Sequence, residues 1–410
     1  MRMRAGLLSR LAFADDGGMY QQIAPLGVAQ HQYGARPFGI HEHDRLHHLY
    51  MIGQTGTGKS TLLLNLALQD ARAGRGLCLI DPHGDLALAV HRQLDMPHHY
   101  FDIADPNCPF GYNPLARVPR PLRPLVVSGL IETLKKQWRD SWGARMEHLL
   151  RYAALALLDQ PKADLRDIVR MYVDKDFRRT VITGIVDEQV RAFWTVEFPN
   201  MNYVNAADGV APIANKLGAF LAHPVIRRAV CEPEQPLRFR QIMDSGEVLV
   251  VNLAKGRVGA DMANVMGGLI ISTVMLAAFS RHGSEEKGRR PFYLHVDEYP
   301  SFTTEAFASL LPEARKYGLA LTLAHQNISQ MPLPIFDAVM GNAGTMIAFR
   351  VGANDAPGVA RQLGDVPPHD LTRLPNHHAY VQLLIDGQKS RTFSMRTWPP
   401  PDTSGGFSTH

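Results

Sequence analysis

The sequence contains little cysteine, and this scarcity excludes two kinds of structure. Its 410 residues include only three cysteines, and none of them lies in a C-x-x-C spacing: Cys78, Cys108 and Cys231. Three widely separated thiols supply neither a disulfide framework nor a cysteine-based zinc site. The composition therefore favours a reducing compartment, and we expect a cytoplasmic protein.

A strong charge imbalance and a long apolar run are also missing. The formal net charge is only +4, so composition alone gives no argument for binding to nucleic acid. The most apolar segment, residues 265–279, is shorter than the roughly 20 residues that a membrane-spanning helix needs. We interpret it as a buried core helix and expect no membrane span. Any position at the inner membrane would then be peripheral and would depend on a partner.

A glycine-rich loop is the strongest signal in the chain. The stretch H-L-Y-M-I at 48–52 is typical of a buried strand, and G-Q-T-G-T-G-K-S at 53–60 follows it directly. Such a loop between a strand and a helix cradles phosphate with its backbone N–H groups. We expect Lys59 to reach the β- and γ-phosphates of ATP and Ser60 to ligate Mg²⁺. The predicted nucleotide-binding residues are Gly53, Gln54, Thr55, Gly56, Thr57, Gly58, Lys59, Ser60 and Thr61.

Two acids follow a second apolar strand. Asp297 and Glu298 come directly after F-Y-L-H-V at 292–296. At this position Asp297 would join Ser60 as a ligand of Mg²⁺, and Glu298 would polarise the water that attacks the γ-phosphate. Gln326 ends the next strand, where a polar side chain could sense the γ-phosphate. The pair of acids favours an enzyme that hydrolyses ATP repeatedly.

The order of the elements predicts an α/β fold with a mainly parallel sheet. Strand and helix patterns alternate over residues 48–118 and again over 241–396. Between them, residues 119–240 show only helical spacing and are flanked by proline-rich stretches, which predicts an inserted all-α domain. We expect an N-terminal extension over residues 1–47 and a flexible tail over 397–410.

Taken together, these motifs resemble the HerA/FtsK superfamily of hexameric DNA-translocating ATPases. Its conjugative branch, the TraG/TraD-like coupling proteins of type IV secretion, and the HerA-like ATPases are the most similar. The motifs that carry the likeness occur in the same order: residues 53–60, D-P-H-G-D at 81–85, V-D-E at 296–298, E-A-R-K-Y-G-L at 313–319, A-H-Q at 324–326 and F-R at 349–350.

The resemblance implies a RecA-like P-loop motor domain and a homohexameric ring with DNA at its centre. It also implies an arginine that reaches the neighbour's nucleotide, and Arg315 and Arg350 are both candidates. A relaxase, a nuclease or a secretion-channel component would be the partner, depending on whether the setting is conjugation, end processing or defence. Two features depart from the pattern, because transmembrane helices are not evident and residues 1–47 are too short for a full N-terminal β-barrel.

Two questions remain open at the level of sequence. One alternative to a DNA motor is an NTP-dependent regulatory module that switches a partner nuclease, secretion or defence component without moving DNA. DNA contacts could lie at Lys255 and Arg257 on a glycine-flanked loop, or in the helical insertion, where Arg139 and Arg145 flank two tryptophans.

Overall fold

An 11-stranded sheet runs through the protein in the computed structural model, which describes residues 23–31, 34–116, 118–201 and 203–400. The order of its strands is β2-β1-β15-β12-β11-β3-β10-β9-β4-β8-β5. The strands, including two short pairs outside this sheet, are β1 Ile23–His31, β2 Gly34–His41, β3 Leu49–Ile52, β4 Gly76–Asp81, β5 His99–Asp102, β6 Phe110–Gly111, β7 Gln235–Pro236, β8 Val248–Asn252, β9 Phe292–Val296, β10 Leu319–His325, β11 Thr345–Ala348, β12 His378–Gln382, β13 Leu384–Ile385, β14 Gln388–Lys389 and β15 Phe393–Thr397.

The strands from β5 to β11 in this order are all parallel. Parallel strands are covered by helices on both faces, which explains why their sequences are continuous apolar runs. In β3, Leu49 and Met51 pack in one apolar cluster with the helix after the glycine-rich loop, whereas Tyr50 and Ile52 pack in the other. The predicted RecA-like α/β fold with a mainly parallel sheet is confirmed.

The helices connect these strands and cover the two faces. They are α1 Glu42–Arg45, α2 Lys59–Arg72, α3 Asp85–Gln93, α4 Arg123–Gln137, α5 Ala144–Leu158, α6 Leu165–Val173, α7 Lys175–Gly184, α8 Glu188–Ala192, α9 Phe198–Asn200, α10 Tyr203–Ala222, α11 Pro224–Cys231, α12 Phe239–Ser245, α13 Lys255–Val258, α14 Ala260–Phe279, α15 Glu305–Ala314, α16 Leu333–Asn342, α17 Ala356–Leu363 and α18 Pro368–Arg373.

The region between β6 and β7 is helical throughout its described residues. Its helices bury apolar side chains, among them Trp194 and Phe193, in a cluster that also contains residues of α14 and of the sheet. The two-residue strands β6 and β7 pair with each other where the chain leaves the sheet and returns to it. This pairing holds the two ends of the helical segment together, so a separable insertion over 119–240 remains our proposal for the domain division.

Both chain ends extend the sheet on one side. The strands β1 and β2 form an antiparallel pair, and β1 also pairs with β15. The described part of the predicted N-terminal extension is therefore continuous with the motor sheet. Local sequence did not indicate this, because these pairings join residues that are far apart in the chain.

The predicted tail begins later than expected. Thr397 is the last residue of β15 and pairs with Gly27. The next residues lie on α2, where the Asn65 side-chain amide donates a hydrogen bond to the Trp398 carbonyl at 3.1 Å. Backbone pairing and this contact fix residues 397–400, so the prediction of a flexible tail is wrong there. The rest of that prediction, residues 401–410, lies outside the described residues.

One described helical segment, Ala260–Gly283, is long and apolar enough to cross a membrane, although 67% of its most apolar window is buried inside the protein. It contains α14, which packs against α4 and α12. A core helix passes the same test of length and composition, and its burial agrees with the expected core helix.

A buried ion pair joins the helix after the glycine-rich loop to the sheet. The two terminal nitrogens of Arg45 donate to the carboxylate oxygens of Asp70 at 2.6 and 2.7 Å, and His295 Nε2 lies 3.0 Å from the same carboxylate. The guanidinium also lies 3.9 Å from the ring centre of Tyr293. Burial alone would raise the pKa of Asp70, yet Arg45 and His295 together lower it below its ordinary value. The carboxylate is thus held ionised inside the core.

We predict that Asp70→Asn lowers the free energy of unfolding by about 3–5 kcal/mol, because it leaves the Arg45 guanidinium buried without its anion. Urea unfolding at neutral pH measures the change. The double variant Arg45→Met/Asp70→Leu, which removes both charges, should be less destabilised than Asp70→Asn. Glu313→Gln, at the exposed pair with Lys316, should leave the midpoint unchanged. An Asp70→Asn protein as stable as the wild type would contradict this role for the ion pair.

Candidate nucleotide site

The glycine-rich loop curves back over the carboxyl ends of the strands. A side chain at Gly53 would place its Cβ 2.6 Å from the Cβ of Phe349, so only glycine fits there. Gly58 has a φ of 122°, in the region that favours glycine, and it immediately precedes α2. The backbone N–H of Gln54 donates to the Arg350 carbonyl at 2.8 Å. The end of β11 therefore supports the loop that precedes α2.

Lys59 lies inside the curve of the loop. Its ammonium donates hydrogen bonds to the Gly53 and Gln54 carbonyls at 2.5 and 3.2 Å. Burial lowers its pKa, and the carboxylates of Asp297 and Glu298 oppose that change. The cation thus faces the predicted hydrolytic acids, as the sequence led us to expect. Ser60 is exposed at the start of α2.

Asp297 and Glu298 stand together at the end of β9. Burial, followed by the negative charges of Glu298 and Asp81, raises the pKa of Asp297 to about 7. Glu298 is also buried, and its backbone lies in the left-handed region with φ 50° and ψ 42°. A residue other than glycine in this conformation stores backbone strain, and such residues cluster at functional sites. Both acids lie where the sequence placed them.

A cavity of about 640 Å³ brings most of the predicted residues together. Its polar wall contains loop residues and side chains from the ends of three further strands. The residues that line it are Thr55, Gly56, Gly58, Lys59, Ser60, Thr61, Leu64, Asp81, His83, Asp85, Leu86, Ala89, Asp297, Glu298, Gln326, His377 and Pro400. Of the predicted loop residues, Gly53, Gln54 and Thr57 support the loop from behind and do not line this cavity.

Gln326, which lines the cavity, forms a hydrogen bond with the glycine-rich loop. Its side-chain oxygen accepts a hydrogen bond from the Thr55 hydroxyl at 3.0 Å, so the end of β10 touches the loop directly. The preceding His325 is fully buried, and its Nε2 lies 2.6 Å from the Tyr50 hydroxyl. Burial lowers the pKa of His325 to about 3, so the ring stays neutral at physiological pH. This neutral pair anchors the strand end that presents Gln326.

The two candidate arginines lie at opposite ends of the parallel strands, Arg350 at the carboxyl ends and Arg315 at the amino ends. Arg350 is beside its own loop, with Nε 3.4 Å from the Gln54 side-chain oxygen, and it also donates to the Leu374 carbonyl and the Asn376 side chain. Arg315 follows α15 and precedes β10, so it lies at the amino ends of the strands, where it is exposed and 3.0 Å from the His47 ring. Arg315 therefore faces away from the cavity of its own chain.

The residues weighed as DNA contacts are not part of this cavity. Lys255 and Arg257 belong to the short helix α13, and the Arg257 guanidinium pairs with Asp102 at the edge strand β5. In the helical region, Trp138 and Trp142 are half-buried against the core, and the Trp142 indole donates to Glu147. The predicted contact with DNA thus stays a prediction for both places.

Three parts of the site were missed or left unassigned by sequence reasoning. Asp81 is the last residue of β4, and its two side-chain oxygens accept hydrogen bonds from the backbone N–H groups of His83 and Ala87 at 2.9 Å. The polar cluster at 81–85 did signal a ligand-facing strand end. His377 and Pro400 carried no such signal, because they reach the cavity through contacts distant in sequence: the His377 N–H donates to the Thr57 carbonyl at 2.7 Å.

The donor set fits a magnesium ion. Mg²⁺ prefers oxygen ligands, commonly one or two carboxylates together with substrate phosphates. Burial, together with the negative charges of Glu298 and Asp81, raises the pKa of Asp297, so a bound cation would favour its ionised form. The Ser60 hydroxyl lines the same cavity. This donor set fits the ion, and its ligation by Asp297 and Ser60 stays a prediction.

The strand, loop and acids define a P-loop fold of the RecA-like class, and solved structures share it over nearly the whole chain. The bacterial conjugative coupling protein TrwB, in an unbound form truncated at its N-terminus, is similar with a TM-score of 0.65 at 15% identity, covering 98% of this chain and 94% of that one. TrwB with ADP and Mg²⁺ matches with a TM-score of 0.60 at 17% identity, covering 88% and 87%.

VirB4 of Thermoanaerobacter pseudethanolicus is also similar, with a TM-score of 0.64 at 14% identity over 94% of this chain and 98% of that one. No family model and no curated protein sequence matches the chain. At these identities the comparisons establish the shared fold of TrwB and VirB4.

We predict that His325 makes folding sensitive to acid. In the unfolded chain its pKa is about 6.5, whereas in the fold it is about 3, so its contribution to stability is present above pH 6.5 and is lost as the pH falls. Between pH 7 and pH 5 this residue alone should cost about 2 kcal/mol. Urea unfolding at both values should show a smaller pH dependence in His325→Gln than in the wild type. Equal pH dependence in the two proteins would contradict a buried neutral His325.

Proposed function

We propose that this chain is an ATP-hydrolysing motor of the type IV secretion kind, which forms a ring and moves DNA. The observation that carries the proposal is the convergence of Lys59, Ser60, Asp297, Glu298 and Gln326 on one cavity at the carboxyl edge of the sheet. The fold shared with TrwB, a conjugative coupling protein whose structures include a complex with ADP and Mg²⁺, supports it.

The residues divide the work of hydrolysis. The loop N–H groups and Lys59 bind the phosphates, and the N-terminus of α2 favours the same negative charge. Asp297 and Ser60 would hold Mg²⁺, which when bound neutralises charge on the phosphate oxygens. Glu298 is placed to take the proton of the attacking water. Gln326, bonded to Thr55 of the loop, is suited to sense whether a γ-phosphate is present.

Four apolar cavity residues, Leu64, Leu86, Ala89 and Pro400, supply a surface for the nucleobase. The contacts of the segment before Pro400 with α2 keep that surface in place. We infer that Pro400 belongs to the nucleotide site.

The proposal retains a partner and a location that follow from the fold relationship. DNA and further copies of the chain are the principal partners. A relaxase, a nuclease or a secretion-channel component would connect the motor to its setting, and would hold it at the inner membrane if it works there.

We predict that Glu298→Gln binds ATP like the wild type but loses turnover by a factor of 10² or more, because it removes the base and little else. Lys59→Ala should weaken ATP binding itself. Calorimetric titration measures binding, and phosphate release measures turnover with and without DNA. Native turnover by Glu298→Gln would refute the catalytic assignment. Turnover that DNA does not stimulate in the wild type would favour the regulatory module over the motor.

The positions of the two arginines support different roles in a ring. Arg350 contacts the loop of its own chain, which suits a role in the same subunit. Arg315 is exposed at the amino ends of the strands, away from the cavity of its own chain, which suits a role at the neighbour's nucleotide. An arginine supplied in trans is worth about 10³ or more in rate.

Mixing inactive variants tests this division. Rings of Lys59→Ala mixed with Arg315→Ala should regain part of the activity, because the Arg315→Ala subunit keeps its loop and borrows Arg315 from its neighbour. Rings of Lys59→Ala mixed with Arg350→Ala should remain inactive if Arg350 acts within its own subunit. Mass spectrometry should first show that the rings contain both variants. Recovery of activity with Arg350→Ala and none with Arg315→Ala would then reverse the roles assigned to the two arginines.

A further inference from the structure

A lysine of the helical region contacts the segment that follows Glu298. Lys136 lies in the last turn of α4, and its ammonium donates hydrogen bonds to the carbonyls of Thr303, at 2.7 Å, and Pro300. Both carbonyls belong to residues 298–304, which we call the Glu298 loop. This loop joins the end of β9 to the start of α15.

The two carbonyls have no backbone partner among the described residues. Within the loop, the Glu298 carbonyl accepts the N–H of Ser301, and the Tyr299 carbonyl accepts those of Phe302 and Thr303. These backbone hydrogen bonds do not include the carbonyls of Pro300 and Thr303. A polar group without a partner is costly where water is excluded, so Lys136 satisfies two acceptors at once.

The Glu298 loop is also wedged between α4 and α14. A Cβ at Gly267 would lie 2.4 Å from the ring of Phe302, and a Cβ at Gly268 would lie 2.7 Å from the Thr133 methyl group of α4. Phe302 itself is buried. Because the loop, α4 and α14 are closely packed at these glycines, we expect a shift of α4 against α14 to move the loop or to break the Lys136 hydrogen bonds.

The ammonium of Lys136 is enclosed although the residue as a whole is exposed. Burial lowers the pKa of this ammonium to about 8, while more than a third of the residue's surface stays open to solvent. The stem therefore runs along the surface and only its charged end reaches under the loop. A substitution at Lys136 removes the two hydrogen bonds without opening a cavity in the core.

We propose that Lys136 is a positioning residue that ties the helical region to the Glu298 loop, so that the arrangement of α4 sets how well Glu298 is placed for hydrolysis. The inference rests on the proposed function, in which Glu298 is the base. Glu298 has a strained backbone, and a strained residue keeps its conformation only while its surroundings hold it. Lys136 supplies part of that restraint from outside the motor sheet.

Lys135 provides a matched control. It is the adjacent residue of α4 and carries the same charge, but its ammonium lies 3.5 Å from Glu147 and 3.9 Å from Glu132, both within the helical region. Lys135→Met therefore makes the same chemical change on the same helix without touching the Glu298 loop.

The test compares Lys136→Met, Lys136→Arg and Lys135→Met with the wild type in ATP hydrolysis and ATP binding. Displacement of a catalytic group by about 1 Å can cost 10²-fold in rate. We expect kcat of Lys136→Met to fall roughly tenfold to hundredfold, with KM and the Kd for ATP unchanged. Lys136→Arg, which still donates to two carbonyls, should keep most of the activity, and Lys135→Met should match the wild type.

Amide hydrogen exchange measures the restraint on the Glu298 loop independently of ATP turnover. Lys136→Met should exchange faster at the amides of residues 301–304 and not in the loop at 53–60. An active wild type whose Lys136→Met variant keeps its kcat would overturn this inference alone, as would equal loss in Lys135→Met. A wild type that binds ATP without hydrolysing it would instead overturn the proposed function.

Discussion

The parallel register of four neighbouring strands determines where the candidate site lies. Ile52 pairs with His325, Leu323 with Val296, and Val296 with Ile80, so β3, β10, β9 and β4 end at nearly the same level. Each strand is followed by a residue or segment of the site. Because parallel strands direct all their carboxyl ends to one edge, residues separated by almost 300 positions meet there. A one-residue slip in any of these strands would turn its terminal side chains to the other face.

This convergence creates a charge imbalance that the fold alone does not resolve. Four carboxyl groups line the cavity, those of Asp81, Asp85, Asp297 and Glu298. Among the described residues of its wall, Lys59 is the only lysine or arginine. Burial and then the negative charges of Glu298 and Asp81 raise the pKa of Asp297. A bound cation would offset this negative charge, so these electrostatics favour a metal-bound nucleotide.

Local motifs were sufficient to predict the centre of the molecule, and distant contacts explain what was missed. The glycine loop, the two acids and Gln326 each carry a signal within a few residues, because backbone geometry and strand ends are local properties. The Asp386-Gly387 turn between β13 and β14 is another local feature, and both residues have the positive φ of a tight hairpin. His377 and Pro400 enter the cavity through β12 and β15, and no pattern near them could indicate that. The positions of Arg315 and Arg350 at opposite ends of the strands likewise could not be derived from the residues around them.

The Glu298 loop and α15 connect the carboxyl end of β9 to the amino end of β10. Thr304 caps the N-terminus of α15 by accepting the Phe307 N–H, and Arg315 follows the last residue of that helix. A helix of ten residues spans about 15 Å, so α15 carries the chain from the Glu298 loop to Arg315 at the amino ends of the strands. The loop touches Lys136 at one end and carries Glu298 at the other. The contacts of Lys136, the backbone of Glu298 and the exposed Arg315 are therefore linked through one short loop and the helix that follows it.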